Sequence, residues 1–296
     1  MTGERIAILM PGDMGHGVGR ALAGHGHEVI TCLAGRSGRT RALAEAAGLR
    51  DVGGLEALVR EAELILSILP PAAALAQAEA VAGAMRATGA RPTYVDCNAV
   101  SPMTAAKVGE VIAGAGAPFI DCGIIGLAPG KGPAARFHVS GADTGPMERL
   151  DGKGIEVIAM GPEPGRASAL KMVYAGLTKG TATLHTALLV AAWRMGIFEE
   201  TVSEYANSQG AALEAMRARV PRLPADAARW VGEMEEIAAT LAAAGVTPGF
   251  HEGAAEVFAL IARTPFAAET RESWDESRTL EEAIEVYARH LKPGGG

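Results

Sequence analysis

AILMPGDMGHGVGRAL, residues 7–22, is the stretch that decides the fold. An apolar run from Ala7 to Met10 breaks at Pro11 and passes through Gly12, Asp13, Met14 and Gly15. It then enters a segment where Val18 and Leu22 recur at helical spacing. A strand that turns into a helix through glycines leaves backbone N–H groups free at the helix N-terminus, where a phosphate group can be held. The usual spacing of such a turn is G-x-G-x-x-G. Here Met10 takes the first position, while Gly12 and Gly15 hold the other two.

Outward from this turn the pattern alternates. Apolar runs at RIAILM (5–10), EVITCL (28–33), LILSIL (64–69), TYVDCN (93–98), PFIDCG (118–123) and FHVSG (137–141), with a weaker one at EVIAMG (156–161), are separated by helical stretches. Several runs are apolar throughout, as strands covered on both faces are. Alternation of this kind implies an α/β fold, a doubly wound, Rossmann-type parallel sheet over residues 1–163. After residue 164 the strand pattern stops. Residues 166–196 read as one helix with Ala, Leu, Met and Val on nearly every side, expected to be buried on several faces. Helices punctuated at Pro221, Pro224, Pro248 and Pro265 follow, and the last opens on a capping box of Thr279 and Glu282. An all-α domain over 164–296, for substrate and dimerisation, is expected, with a disordered tail at 292–296.

The end of the second strand bears on the phosphate ligand. A dinucleotide-binding sheet usually places Asp or Glu there to hold the ribose 2′-hydroxyl of NAD. The position falls near Leu33, and the loop that follows offers Arg36, Ser37, Arg39 and Arg41 instead. Arginine suits a 2′-phosphate, so NADP is the expected cofactor, with NAD possible.

Bulk properties exclude several classes. The formal net charge of −7 repels nucleic acid and anionic membranes, so neither is an expected partner. Cys32, Cys97 and Cys122 include no CxxC pair and read as small buried thiols in a reducing compartment. The N-terminus has no signal-peptide pattern, and a cytoplasmic location is expected. No metal site is expected, because the seven histidines lack metalloprotease spacing. GLAPGKG (126–132) lacks the spacing of a phosphate loop and reads as an ordinary loop.

With these segments in order, the chain resembles the β-hydroxyacid dehydrogenase family, relatives of 3-hydroxyisobutyrate and 6-phosphogluconate dehydrogenases. GDMG (12–15) is similar to that family's turn. LSILPP (66–71), containing Leu69 and Pro70, is similar to its fourth-strand segment beside the cofactor. VDCNAVSP (95–102), containing Asn98, is similar to the stretch near the nicotinamide. DCGIIGL (121–127), with Ile124, Ile125 and Gly126, stands where the family binds substrate. GRASALKMVYAG (165–176) matches the segment bearing its catalytic lysine, here Lys171. RWVGEMEEIAATL and RESWDESRTLEEA resemble a distinct subgroup with its own helical C-terminal domain.

A lysine amid Ala169, Leu170, Met172 and Val173 sits in a buried-looking helix, where an ammonium is costly without a task. Tuned towards neutrality, Lys171 can act as general acid/base in exchange between a hydroxyl and a carbonyl. The resemblance also shows departures. Tyr174 and Ala175 replace the His–Asn pair of phosphogluconate dehydrogenases, Ala175 replaces a substrate-binding Asn, and Ile125 replaces a polar residue. Asn98 and Tyr174 are the candidates to restore polar contacts. Glu233, Glu235 and Glu236 read as a solvated helix face. The expected activity is oxidoreduction of a β-hydroxy acid or related compound. The rivals are an imine reductase on this scaffold, whose members usually lack the lysine, and a non-catalytic NADP(H) sensor.

Overall fold

The computed structural model describes residues 3–291; the 292–296 tail lies outside the described residues. In chain order the elements are β1 (Arg5–Leu9), α1 (Asp13–Gly24), β2 (Glu28–Thr31), α2 (Gly38–Ala46), β3 (Arg50–Asp51), α3 (Leu55–Glu61), β4 (Leu64–Ser67), α4 (Ala74–Thr88), β5 (Thr93–Asp96), α5 (Pro102–Ala113), β6 (Phe119–Ile125), β7 (Ala135–Ser140), α6 (Gly145–Glu148) and β8 (Ile155–Ala159). Helices α7 (Arg166–Met195), α8 (Phe198–Ser208), α9 (Gly210–Arg219), α10 (Pro224–Ala243), α11 (Gly249–Ile261) and α12 (Leu280–Arg289) complete the described chain.

The strands form one sheet in the order β3-β2-β1-β4-β5-β6-β7-β8, parallel throughout except for the antiparallel β6–β7 pair. Alternate residues explain why the runs are apolar on both sides. Ile6 and Ile8 of β1, with Leu64 and Leu66 of β4, pack into one core. Ala7, Leu9 and Ile65 pack into a second core on the opposite face. All seven apolar runs become strands. The eighth, β3, is two polar edge residues without an apolar pattern: Arg50 pairs there with Glu28 and Glu61. All three cysteines are buried and free.

The chain divides into two compact units at Met172/Val173, inside α7. The sequence boundary at 163/164 falls earlier. The first turns of α7 belong with the sheet because their N–H groups and Ser168 bond side chains of β6 and β7.

Within the helical unit, two expectations are corrected. Glu233 is 4% exposed rather than solvated. It pairs with Lys179 of α7, whose Nζ lies over the Trp230 ring at 5.1 Å. The all-round apolar α7 is also not buried all round: Val173, Leu177, Leu184, Leu188 and Met195 are exposed. His251 explains two of that helix's glycines. Its ring bonds the Gly176 carbonyl at 3.1 Å, and a Cβ on Gly176 or Gly180 would lie within 3.1 Å of its Nε2. The capping box of Thr279 and Glu282 opens α12 as expected. Among the described residues no helix is long and apolar enough to cross a membrane.

Burial of the Lys179–Glu233 pair makes it sensitive to loss of one partner. Lys179→Met leaves the buried carboxylate with only Arg229, at 3.6 Å. It is expected to destabilise the protein by about 3 kcal/mol, read as a lower urea midpoint at unchanged slope.

Candidate functional site

In open α/β sheets, ligands bind beyond the carboxyl ends of the strands where the strand order reverses. Here that point lies between β1 and β4. The turn after β1 keeps the phosphate-binding shape although its first glycine is Met10. Met10 adopts φ 57°, the left-handed region, at a cost of about 1–2 kcal/mol for a residue with a side chain. Its carbonyl accepts from Gly12 N at 2.7 Å, and a Cβ on Gly15 would lie 2.9 Å from the same oxygen. Gly15 is therefore needed for close packing. A Cβ on Gly12 would meet nothing within 4 Å, which leaves the helix N-terminus open to a ligand.

The loop after β2 sorts its basic residues. Arg36 donates from Nη1 to Met10 Sδ at 3.6 Å and from Nη2 to Gln77 Oε1 at 3.2 Å; its Nε is buried with no hydrogen-bond partner. Arg39 pairs with Asp13 at 2.6 Å. Arg41 braces the loop by donating to the Leu33 carbonyl at 2.6 Å. Ser37 caps α2, accepting from Thr40 N at 3.2 Å. Arg36 and Gln77 line a cavity of about 640 Å³ with Leu9, Cys32 and Gly54. Glu56 also lines it and is paired with Arg60. Gln77 carried no sequence signal, being one polar residue in an Ala-rich helix.

At the ends of β4 and β5, Asn98 departs from its expected role. It is 2% exposed, and both ends of its amide are engaged. Oδ1 accepts from Leu69 N, and Nδ2 donates to Ser67 Oγ at 3.2 Å and to Asp96. Asn98 thus fixes the backbone at Leu69, ahead of the exposed Pro70, rather than presenting a contact to substrate.

The end of β6 holds the lysine. Asp121 is fully buried; its Oδ2 accepts from Ser140 Oγ (2.9 Å), Gly165 N (2.9 Å) and Ser168 N (3.0 Å), and its Oδ1 accepts from Ser168 Oγ. Ser140 Oγ also accepts from Ala167 N at 3.1 Å. These bonds satisfy the free N–H groups that open any helix, and a carboxylate is favoured at that positive end. Nothing in the sequence marks Asp121 apart from the rest of the DCGIIGL segment. Gly123 brings the strand against the helix: a Cβ there would lie 2.7 Å from the Ala167 carbonyl and 2.9 Å from Lys171 Cβ. One turn on, the half-buried Lys171 donates from Nζ to the Ile124 carbonyl at 2.7 Å.

Ile125 and Ala175 are 3% and 1% exposed, so both are packing residues and neither presents a surface to a ligand. An Asn at 175 would bury an amide. Gly126 and Tyr174 are exposed. In the helical unit, burial and the neighbouring Arg222 hold the Arg219 guanidinium below its usual range, and burial together with the Arg219 charge lowers His185. No cluster of metal-ligating side chains occurs among the described residues.

The open Gly12 turn, the Arg36 nitrogen without a partner and the lysine at the strand ends fit a nicotinamide dinucleotide, so the site is that of a dinucleotide-binding protein. Comparison with known proteins agrees. Residues 5–151 match the NAD binding domain of 6-phosphogluconate dehydrogenase, and 192–261 match a domain of unknown function (DUF1932). The chain belongs to the β-hydroxyacid dehydrogenase family of nicotinamide-dependent oxidoreductases, in a form with a helical C-terminal domain.

A conserved hypothetical protein from Sinorhizobium meliloti is 25% identical, with 98% of this chain and 97% of that one covered and a TM-score of 0.66. A conserved protein of unknown function, itself described as similar to 3-hydroxyacid dehydrogenases, is 27% identical over 87% of this chain and 96% of its own, at a TM-score of 0.62. The fold is shared with Mycobacterium tuberculosis 3-hydroxyisobutyrate dehydrogenase, solved with L-serine (18% identical, 96% and 98% covered, TM-score 0.64). It is also shared with an imine reductase from Streptomyces aurantiacus (19% identical, 95% and 99% covered, TM-score 0.52).

Asp121→Ala tests the anchoring of the lysine helix. Leaving several buried donors without an acceptor is expected to cost about 3 kcal/mol, seen as a lower thermal midpoint. Ser168→Ala, which removes one of these donors, should cost about 1 kcal/mol.

Proposed function

We propose that the protein is an NADP-preferring dehydrogenase or reductase that interconverts a hydroxyl and a carbonyl on a β-hydroxy acid or related compound, with Lys171 as general acid/base. The observation that carries this reading is the position of Lys171. Its Nζ is held by the Ile124 carbonyl at the carboxyl end of β6, on the edge of the sheet that also bears the phosphate-binding turn. A bound nicotinamide would supply or accept the hydride. Lys171 receives the hydroxyl proton during oxidation and returns it to the oxygen during reduction. Asp121 keeps α7, and so the lysine, in register with β6.

Preference for NADP rests on Arg36, whose two partners in the structure are both uncharged and leave its charge available to a 2′-phosphate. Arg39, paired with Asp13, is a weaker candidate. We further propose a cytoplasmic homodimer built on the helical unit. The exposed apolar residues of α7 support the dimer, and the three buried free thiols support a reducing compartment. The imine reductase reading shares the fold, and Lys171 counts against it.

The test is NADPH oxidation across a panel of β-keto acids, aldehydes and imines. A β-keto acid should be the best substrate; activity confined to imines would overturn the assignment. Lys171→Met should lower turnover by about 100-fold or more while leaving NADPH affinity unchanged. Sedimentation at micromolar concentration should give twice the chain mass of 30.4 kDa.

A further inference from the structure

The departure at the first position of the glycine turn has a partner. Met10 holds a left-handed backbone, φ 57°, that glycine adopts freely and a residue with a Cβ does not. Backbone strain of this kind persists where surrounding structure fixes it, and it clusters at functional sites. What the methionine supplies, and glycine cannot, is a side chain. Its Sδ lies 3.6 Å from Arg36 Nη1, across the gap between the turn after β1 and the loop after β2. Gln77 of α4 holds the other terminal nitrogen at 3.2 Å.

We infer that Met10 is a specificity-determining residue for the cofactor: it positions the Arg36 guanidinium for the 2′-phosphate of NADP. The inference rests on the NADP reading above and names how that preference is built. Both acceptors are uncharged, a thioether and an amide. They restrict the long arginine side chain before a ligand arrives without neutralising it. A carboxylate in either place would fix the side chain equally well but would compete with the phosphate. A thioether is a weak acceptor, so it orients the guanidinium and leaves the donors facing away from it for the ligand. Order established before binding is not lost again on binding, which is how preorganisation raises affinity. Met10 acts through Arg36 alone, so its effect is confined to ligands that carry the 2′-phosphate.

The experiment uses the full chain and two fragments that contain no nicotinamide, 2′,5′-ADP and 5′-AMP, with binding read by titration calorimetry. The intact protein should bind 2′,5′-ADP at least about tenfold more tightly than 5′-AMP. Met10→Gly restores the residue that the left-handed turn ordinarily carries. It should reduce that ratio by about threefold or more while leaving 5′-AMP within about twofold. Met10→Leu keeps the bulk, removes the sulfur, and should move the ratio the same way. In an Arg36→Ala background either substitution should change the ratio by less than about twofold, because the two residues act as one unit.

Equal weakening of both fragments, no change in the ratio, or an undiminished effect without Arg36 would each overturn the inference. A native protein that binds the two fragments alike overturns the NADP reading together with it. A native preference that is insensitive to position 10 overturns this inference alone.

Discussion

The buried Asp121 carboxylate is the constraint on which the rest of the site depends. One side chain on β6 accepts hydrogen bonds from β7, from the residue before α7 and from the first turn of α7. A charge with no exposure is tolerated only when its oxygens are fully hydrogen-bonded, and here the donors are backbone N–H groups that a helix start leaves over. The same arrangement therefore solves two problems, satisfying the carboxylate and capping the helix. Gly123, two residues along β6, lets the strand and helix backbones approach. Lys171 follows as a consequence, because a helix whose origin is fixed on β6 has its next turn fixed against the end of β6.

The cofactor half depends on a different economy of contacts. The turn after β1 needs a left-handed residue, and this chain places a methionine there instead of the easy choice. Around it the basic loop divides its labour: Arg41 and Ser37 hold the loop itself, Arg39 meets Asp13, and Arg36 keeps its charge. Asn98 and Ser67 tie the ends of β4 and β5 to each other. Two strand ends thus carry polar groups whose bonding runs inward, into the scaffold.

Much of this was legible in the sequence, and the reason differs by element. The runs at Ile6–Leu9 and Leu64–Ser67 read as strands because helices cover both of their faces, so no polar alternation interrupts them. Lys171 stood out because a charge in an apolar helical segment contradicts its surroundings. β3 was not legible: two polar edge residues leave no periodicity. Residue type does not reveal which way a side chain faces. Asn98 was expected to face a ligand and instead bonds Leu69; Ala175 was expected at the ligand and is buried; Glu233 was expected in solvent and is paired with Lys179. Asn98 and Glu233 are decided by partners distant in sequence. Asp121 belongs with them, since its role exists only once β6, β7 and α7 meet.

The central claim is that a proton moves through the amine of Lys171. The direct measurement is chemical rescue of Lys171→Ala by added primary amines, followed as NADPH oxidation with the best carbonyl substrate. Small amines that fit the space left by the side chain should restore turnover, and among amines of similar size the restored rate should follow their basicity, as Brønsted behaviour requires. A Lys171→Ala protein that retains full turnover, or one that binds NADPH normally yet gains nothing from any amine, would contradict the account.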